Sequence, residues 1–441
     1  MPDEPSDLRE IRLSHRAQRK GARRVGAADP AERMTISVRV RRRPGAPPMQ
    51  DPSVLAETPL AQRSYPSRDA FAETYGASKD DLDKVAAYAE SKGLAVVEES
   101  LARRTVVLRG TVAQANAAFG LDLGVYQAGQ ETYRGREGAV HVPAELCDIV
   151  EGVFGLDNRK MAAPLLKVSQ AAAAAAPAPG PGVTRPVAAN EAAALYRFPG
   201  EDAKGQTIAI IEFGGGFWPA DAAKVCARLG LPAPTVTAVS VDHQPNAPKE
   251  GDDYTIETAL DVQVAAAAAP GANIVVYFAP WSEQGWVDAL STAVHDNVHK
   301  PTVISISYGW PEFETANGLT WSPAAIQAVH STFVEAANLG ITVLVSAGDH
   351  GSDCGLNDGK AHVLYPASDP LVIACGGTRL SNIDGLSFDE GVWNDGDDFW
   401  ITGGGISDYF RPPQAPLPPW QAGATVVSAG DGQRGRWRCR R

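Results

Sequence analysis

The chain has 441 residues, 44% of them hydrophobic and 21% charged, an ordinary globular composition that excludes disorder throughout. Forty basic against 52 acidic residues give a formal net charge of −12, yet the first fifty residues hold 12 Lys/Arg against 6 Asp/Glu. The last eleven hold five Arg against one Asp, so the body between them is strongly acidic, which argues against nucleic acid as a partner because phosphate binding needs a basic face.

No run of 18 apolar residues is present to span a membrane. Residues 1–26 are polar and Arg-rich and are not expected to act as a Sec signal peptide. Five cysteines without a C-x-x-C make neither a disulfide framework nor a zinc site.

Residues 1–32 are charged and lack apolar periodicity, which predicts a flexible basic arm. Residues 35–40 alternate and predict a strand, ended by Arg41-Arg42-Arg43-Pro44. Helices are predicted over 69–75 and 80–91, and strands over 94–99 and 105–109. Thr111 caps a helix through Phe119, 121–126 is strand-like and 143–154 is predicted helical. Residues 33–160 thus form an α+β domain with its own core. Six alanines, 171–176, and a Pro/Gly run, 177–182, then mark an exposed linker over 161–187 where a protease would cut.

Beyond the linker, short apolar strands alternate with helices. Strands are predicted over 207–212, 235–241, 273–278, 302–307, 341–346 and 371–374, with helices over 219–229, 254–268, 287–297 and 323–339. This pattern predicts a parallel sheet covered on both faces over 188–420, with its site beyond the carboxyl ends of the strands. Those ends are Glu212-Phe-Gly-Gly-Gly216, Ser307-Tyr-Gly309 and Ala347-Gly-Asp349. Residues 421–441 are an atypical Arg-rich tail.

Glu257-Thr-Ala-Leu-Asp261 places two carboxylates at i and i+4, on one helix face. Like charges that close disfavour double ionisation and suit shared-proton, acid-base chemistry at low pH. A solvated helix face has the same spacing, but the apolar run 262–269 indicates that at least that half of the helix is buried. Asp349, at a strand end, can form a turn, accept an ion pair or, protonated, donate to an oxyanion. Glu212 precedes three glycines without G-x-G-x-x-G or G-K-[ST], so a nucleotide loop is set aside. His350 adjoins Asp349, but neighbours on an extended turn point apart, and an exposed loop histidine is the simpler reading.

Together these stretches resemble the sedolisin family of serine-carboxyl peptidases, most closely its kumamolisin branch. The resemblance runs from about Thr35 to Trp420. It is carried by Ile208-Ala-Ile-Ile-Glu-Phe-Gly-Gly-Gly216, Glu257-x-x-x-Asp261, Ala269-Pro-Gly271, Val276-Tyr-Phe-Ala-Pro280, Ile304-Ser-Ile-Ser307, Ala347-Gly-Asp349, Ala374-Cys-Gly-Gly-Thr378, Val392-Trp-Asn-Asp395 and Thr402-Gly-Gly-Gly405.

The resemblance implies an α/β fold: a subtilisin-like parallel-sheet catalytic domain, truncated here, behind an α+β ferredoxin-like propeptide that blocks its cleft. It implies that Glu257 takes a serine proton, that Asp261 polarises Glu257, that Asp349 is a protonated oxyanion donor and that Glu212 supports the proton network. Ser307, Tyr308 and Gly309 match the strand that pairs with substrate backbone, with Tyr308 replacing the usual tryptophan. The implied partners are a protein or peptide substrate and the chain's own propeptide, with secretion usual for relatives. The resemblance also implies acid-triggered removal of the propeptide, helped by protonation of carboxylates across the domain interface.

The family's G-T-S-x-x-x-P nucleophile segment and its Asp-rich calcium site do not occur in this sequence. The only later G-T is Gly377-Thr378-Arg379. As it stands the chain is therefore expected to lack a nucleophile and calcium ligands. Two expectations follow: an acid endopeptidase precursor whose sequence is truncated, or an inactive remnant or binding protein that keeps the front part of the fold.

Overall fold

The computed structural model describes residues 8–161, 163–164, 187–199, 203–312, 320–356, 360–395, 400–407 and 409–410. The Ala/Pro/Gly run 171–182 and the Arg-rich tail lie outside them.

β-branched residues in Arg33–Val40 (β3) and Thr105–Thr111 (β5) build an antiparallel sheet with Ala95–Ser100 (β4) and Val150–Phe154 (β9), in the order β4-β5-β3-β9. Pro52–Glu57 (α1), Arg68–Tyr75 (α2) and Lys79–Ser91 (α3) lie between β3 and β4 in the chain, and Val112–Phe119 (α4) follows β5. A capping box starts α4: Thr111 Oγ1 accepts from Gln114 N, and the Gln114 side chain accepts from Thr111 N. Ile36, Val38, Val106, Leu108, Leu82, Val85, Ala115 and Phe119 form the core between sheet and helices.

Two sequence expectations change in this half. Residues 143–154 are not a helix. Pro143 closes a strand, His141–Pro143 (β8), only Ala144–Leu146 makes a short 3₁₀ turn, and 150–154 pairs with β3 from Val40↔Val150 to Ser37↔Phe154. Cross-strand pairing along the free edge of β3 outweighs a weak helical period. Nor is 1–32 a flexible arm where it is described. Leu8–Glu10 (β1) pairs with β8, and Arg23–Ala27 (β2) pairs with Gly124–Ala128 (β6), itself paired with Glu131–Gly135 (β7). Ile11, Arg16 and Arg19 are buried. These pairings are long-range, so no local periodicity announces them.

The second half is a six-stranded parallel sheet in the order β12-β13-β11-β14-β16-β18. Its strands are Thr207–Glu212 (β11), Thr235–Ser240 (β12), Asn273–Phe278 (β13), Val303–Ile306 (β14), Thr342–Ser346 (β16) and Ile373–Cys375 (β18). Ala189–Leu195 (α5) leads into it. Pro219–Arg228 (α6) and Asp253–Ala268 (α7) cover one face through Ile210, Phe217, Val262 and Ile274. Glu283–His295 (α8) and Pro323–Asn338 (α9) cover the other through Ile211, Tyr277, Trp286 and Phe333. This is the subtilisin-like α/β arrangement expected. α7 is less buried than its composition suggests, since Leu260 at its middle and Val264 in its C-terminal half are 45% and 46% exposed.

The antiparallel sheet rests its second face on α8 and α9. Every residue of β3 from Ile36 to Val40 is therefore buried, polar Ser37 and Arg39 included. Ser37 Oγ donates to Asp288 Oδ2 at 2.5 Å, and Gln284 Nε2 donates to Ser37 at 3.0 Å. Arg39 and Arg104 both reach Glu335 Oε1, at 3.2 and 3.0 Å, while His295 Nε2 lies 2.8 Å from Glu335 Oε2. Arg41 instead pairs with Asp81 inside its own module. No helix among the described residues is long and apolar enough to cross a membrane.

Candidate active site

β11 ends at Glu212 in the middle of the sheet, paired with β13 on one side and β14 on the other. The glycines after it serve packing. Gly214 and Gly215 have φ of +89° and +63°, and a Cβ on Gly215 would meet the Tyr254 backbone at 2.5 Å. They let the first turn of α7 close over the end of β11. Asp252 caps that turn by accepting from Thr255 N, which fixes the helix so that Glu257, Thr258 and Asp261 face the strand ends.

Glu212 is fully buried. Its Oε2 accepts from Tyr308 OH at 2.7 Å and from Thr258 Oγ1 at 3.0 Å. Its Oε1 has no protein donor among the described residues. Burial first, then the charge of Asp261, pushes its pKa well above the carboxylate range. Held neutral in this way, Glu212 can donate its own proton to Asp261, with which it shares a hydrogen bond. Asp261 Oδ2 also accepts from Ser307 Oγ at 2.7 Å, and burial raises its pKa to about 6.

Glu257 is buried, with Oε2 unpartnered among the described residues. Burial, then Asp261 and then Asp349, pushes its carboxyl up to about 8. Asp349, on the turn after β16, is raised by burial alone. Its backbone carbonyl accepts from Ile401 N at 3.0 Å, and Gly348 takes φ +99° to make the turn. The structure thus brings Glu212, Glu257, Asp261 and Asp349 into one electrostatically coupled group. His350 bridges to Ile401 with its ring 6.2 Å from that of Trp400, outside this group.

Immediately after Ser307 the chain leaves the parallel sheet as Tyr308–Pro311 (β15), which pairs antiparallel with Leu364–Tyr365 (β17). On its other edge lies Ala163–Pro164 (β10), in the register Ala163↔Gly309 and Pro164↔Tyr308. The strand expected to hold substrate backbone is therefore occupied by the chain's own segment leading out of the N-terminal module. Trp286 Nε1 secures the approach by donating to Met161 O at 2.7 Å.

Thr258 and Glu335 were missed at the sequence level. Glu335 had a readable signal: with Thr332 it interrupts the apolar face of α9, where a polar group needs a partner. Thr258 had none, since a threonine beside Glu257 is unremarkable without the strand ends in view. Among the described residues no group of three or more His, Cys, Asp or Glu side chains is placed to hold a metal ion.

Residues 20–159 match the family described as "Pro-kumamolisin, activation domain". Kumamolisin of Bacillus sp. (strain MN-32) is 41% identical over 435 residues, covering 96% of this chain and 76% of the relative. Tripeptidyl-peptidase sed5 of Aspergillus fumigatus is 30% identical over 466 aligned positions, with the same two coverages. A solved structure of Pseudomonas sedolisin, a serine-carboxyl proteinase complexed with pseudo-iodotyrostatin, is 28% identical over 56% of this chain and 69% of its own, at TM-score 0.46. The chain belongs to the sedolisin family of serine-carboxyl peptidases, hydrolases of its kumamolisin branch, and carries that branch's activation domain ahead of a subtilisin-like parallel-sheet domain.

Proposed function

We propose that the parallel-sheet module is the acid-base half of a serine-type endopeptidase acting at low pH, and that residues 33–160 with the linker 161–187 form its propeptide and processing segment. One observation carries this: four carboxyl groups from three separate stretches converge beside a strand already paired with extended backbone. In this reading Glu257 removes the proton of an attacking serine hydroxyl as that oxygen bonds to the peptide carbonyl carbon. Asp261 receives hydrogen bonds and steadies the charge on Glu257, while Glu212 stays protonated behind it. Asp349, neutral through burial, donates to the oxygen of the tetrahedral intermediate.

A carboxyl held near 8 is protonated in acid and cannot act as a base. In the docked precursor, β10 lies beside α7 and β15, and in this reading it helps exclude water from Glu257. Its departure would rehydrate Glu257 and lower its pKa into the working range. The propeptide segment therefore blocks the strand and disarms the base together. Cleavage in the linker, releasing a chain that begins between about residues 171 and 184, would make the change permanent.

This sequence contains no G-T-S-x-x-x-P segment, so the 441-residue chain should show no turnover of a denatured protein substrate at about pH 3–5, because Glu257 has no hydroxyl to activate. Turnover that Glu257→Ala abolishes would overturn the missing nucleophile but support the base. Turnover indifferent to Glu257→Ala would overturn the base itself. The pairing of β10 with β15 is backbone recognition that needs no nucleophile, which keeps a binding role as the second reading. Retained affinity for an extended peptide without hydrolysis, after linker cleavage, is its signature.

A further inference from the structure

A cavity of about 300 Å³ lies between the antiparallel sheet and α9, lined from one side by Arg39, Arg42 and Glu151 and from the other by Ala324, Gln327 and Ser331. Its charge does not balance. Arg39, Arg42 and Arg104 cluster there against two carboxylates, Glu151 and Glu335. Both carboxylates are already engaged: Arg104 takes one oxygen of each, and His295 takes the other oxygen of Glu335.

Arg39 is 2% exposed, yet its Nε has no hydrogen-bond acceptor, and Arg42 Nε is likewise buried without one. Burial, then the neighbouring Arg104 charge, lowers the pKa of Arg39 to about 10, while Glu335 and Glu151 raise that of Arg104. Ser331 Oγ already accepts from Arg104 at 3.2 Å, which leaves its own hydrogen to donate into the cavity. Ala324 lies in the first turn of α9, the positive end of that helix. Gln327 is exposed and forms the entrance.

We propose that this cavity binds one small tetrahedral oxyanion of the phosphate or sulfate class. An oxyanion would offset the one excess positive charge and accept from Arg39, Arg42 and Ser331. Guanidinium donors suit such an ion better than a monatomic anion because they bond two oxygens in parallel. Its donors come from both modules, so the site exists only while they are docked. By linkage, oxyanion at a hundred times its dissociation constant would favour the docked state about a hundredfold. The ion would act as a removable pin on the activation domain, independent of the peptidase chemistry.

Equilibrium dialysis of the full chain against radiolabelled inorganic phosphate, with ionic strength held constant by sodium chloride, tests this. The expected result is saturable uptake of one phosphate per chain, competed by sulfate and not by chloride, and weakened at least tenfold by Arg42→Gln. Gln327→Glu, an exposed change at the entrance that should leave folding intact, is expected to weaken uptake likewise by placing a negative charge there. Absence of saturable uptake at millimolar phosphate, equal competition by chloride, or unchanged uptake in a folded Arg42→Gln or Gln327→Glu chain would overturn the proposal.

Discussion

A carboxyl group closed off from water, as Glu212 is, must either be hydrogen-bonded or keep its proton. Glu212 does both, with Tyr308 and Thr258 on one oxygen and its own proton available to the other. Both donors bond to Oε2 and pull the pKa of Glu212 down against burial. Tyr308→Phe should therefore raise it further and remove one of two donors from a buried acceptor, at a cost of about 1–3 kcal/mol in urea unfolding. Unchanged stability in Tyr308→Phe would mean that the hydroxyl contributes nothing to holding the carboxyl. The sequence showed Tyr308 only as a replacement for tryptophan. Its role depends on β15 leaving the sheet one residue after Ser307, which no spacing along the chain encodes. Glu257 and Asp261 were legible because helix geometry alone makes them neighbours.

At the scale of elements, β3 decides how the two modules meet. A strand that is polar at alternate positions should show one face to water, yet Ser37 and Arg39 are buried against α8 and α9. Local period identified the strand; only the second module explains its polar face. The same limit accounts for 143–154 and for the N-terminal strands, whose partners lie far away in sequence. Most helices with explicit caps start within a residue of their sequence reading, the Thr111 box being the plainest case, whereas α8 begins at Glu283 under its Ser282 cap and not at 287. Thr111→Ala should cost about 1 kcal/mol and lower the melting temperature of the chain. The heavier test is Glu335→Ala, which leaves Arg39 and Arg104 buried without their shared carboxylate. Loss of a buried pair in this way costs about 3–5 kcal/mol. A denaturant midpoint within error of the parent would show that the pairing does not hold the modules together.

Over the whole molecule, two sets of buried carboxyls pull stability in opposite directions with pH. Glu257, Asp261 and Asp242 stand at about 8, 6 and 9, all raised chiefly by burial. Unfolded carboxyls titrate near about 4, so between that pH and the folded values the native chain binds more protons than the unfolded chain. Their contribution is thus complete below about pH 4 and lost as pH rises to about 9. Glu335 runs the other way: against its burial, Arg104 and then Arg39 hold its pKa well below the ordinary value. Its contribution is present above about pH 4 and lost as pH falls. Acid alone therefore does not simply loosen the interface, as the expected loss of ion pairs on protonation suggests. Asp242 shares a proton with Asp288 beneath Ser37 and Gln284, with Arg103 and Glu98 also acting on Asp242, and acid strengthens that part. The melting temperature of the full chain should peak near pH 4–5 and decline on both sides. Asp288→Asn replaces the shared proton with an amide donor, so it should make the limb between about pH 6 and 9 shallower, leaving the share carried by Glu257, with the acid limb unchanged. Glu335→Gln should flatten only the acid limb, at a lower overall stability. Thermal melts of the three chains from pH 3 to 9 decide the matter: if Asp288→Asn retains the parent's alkaline decline, the shared proton at the interface is not what drives it.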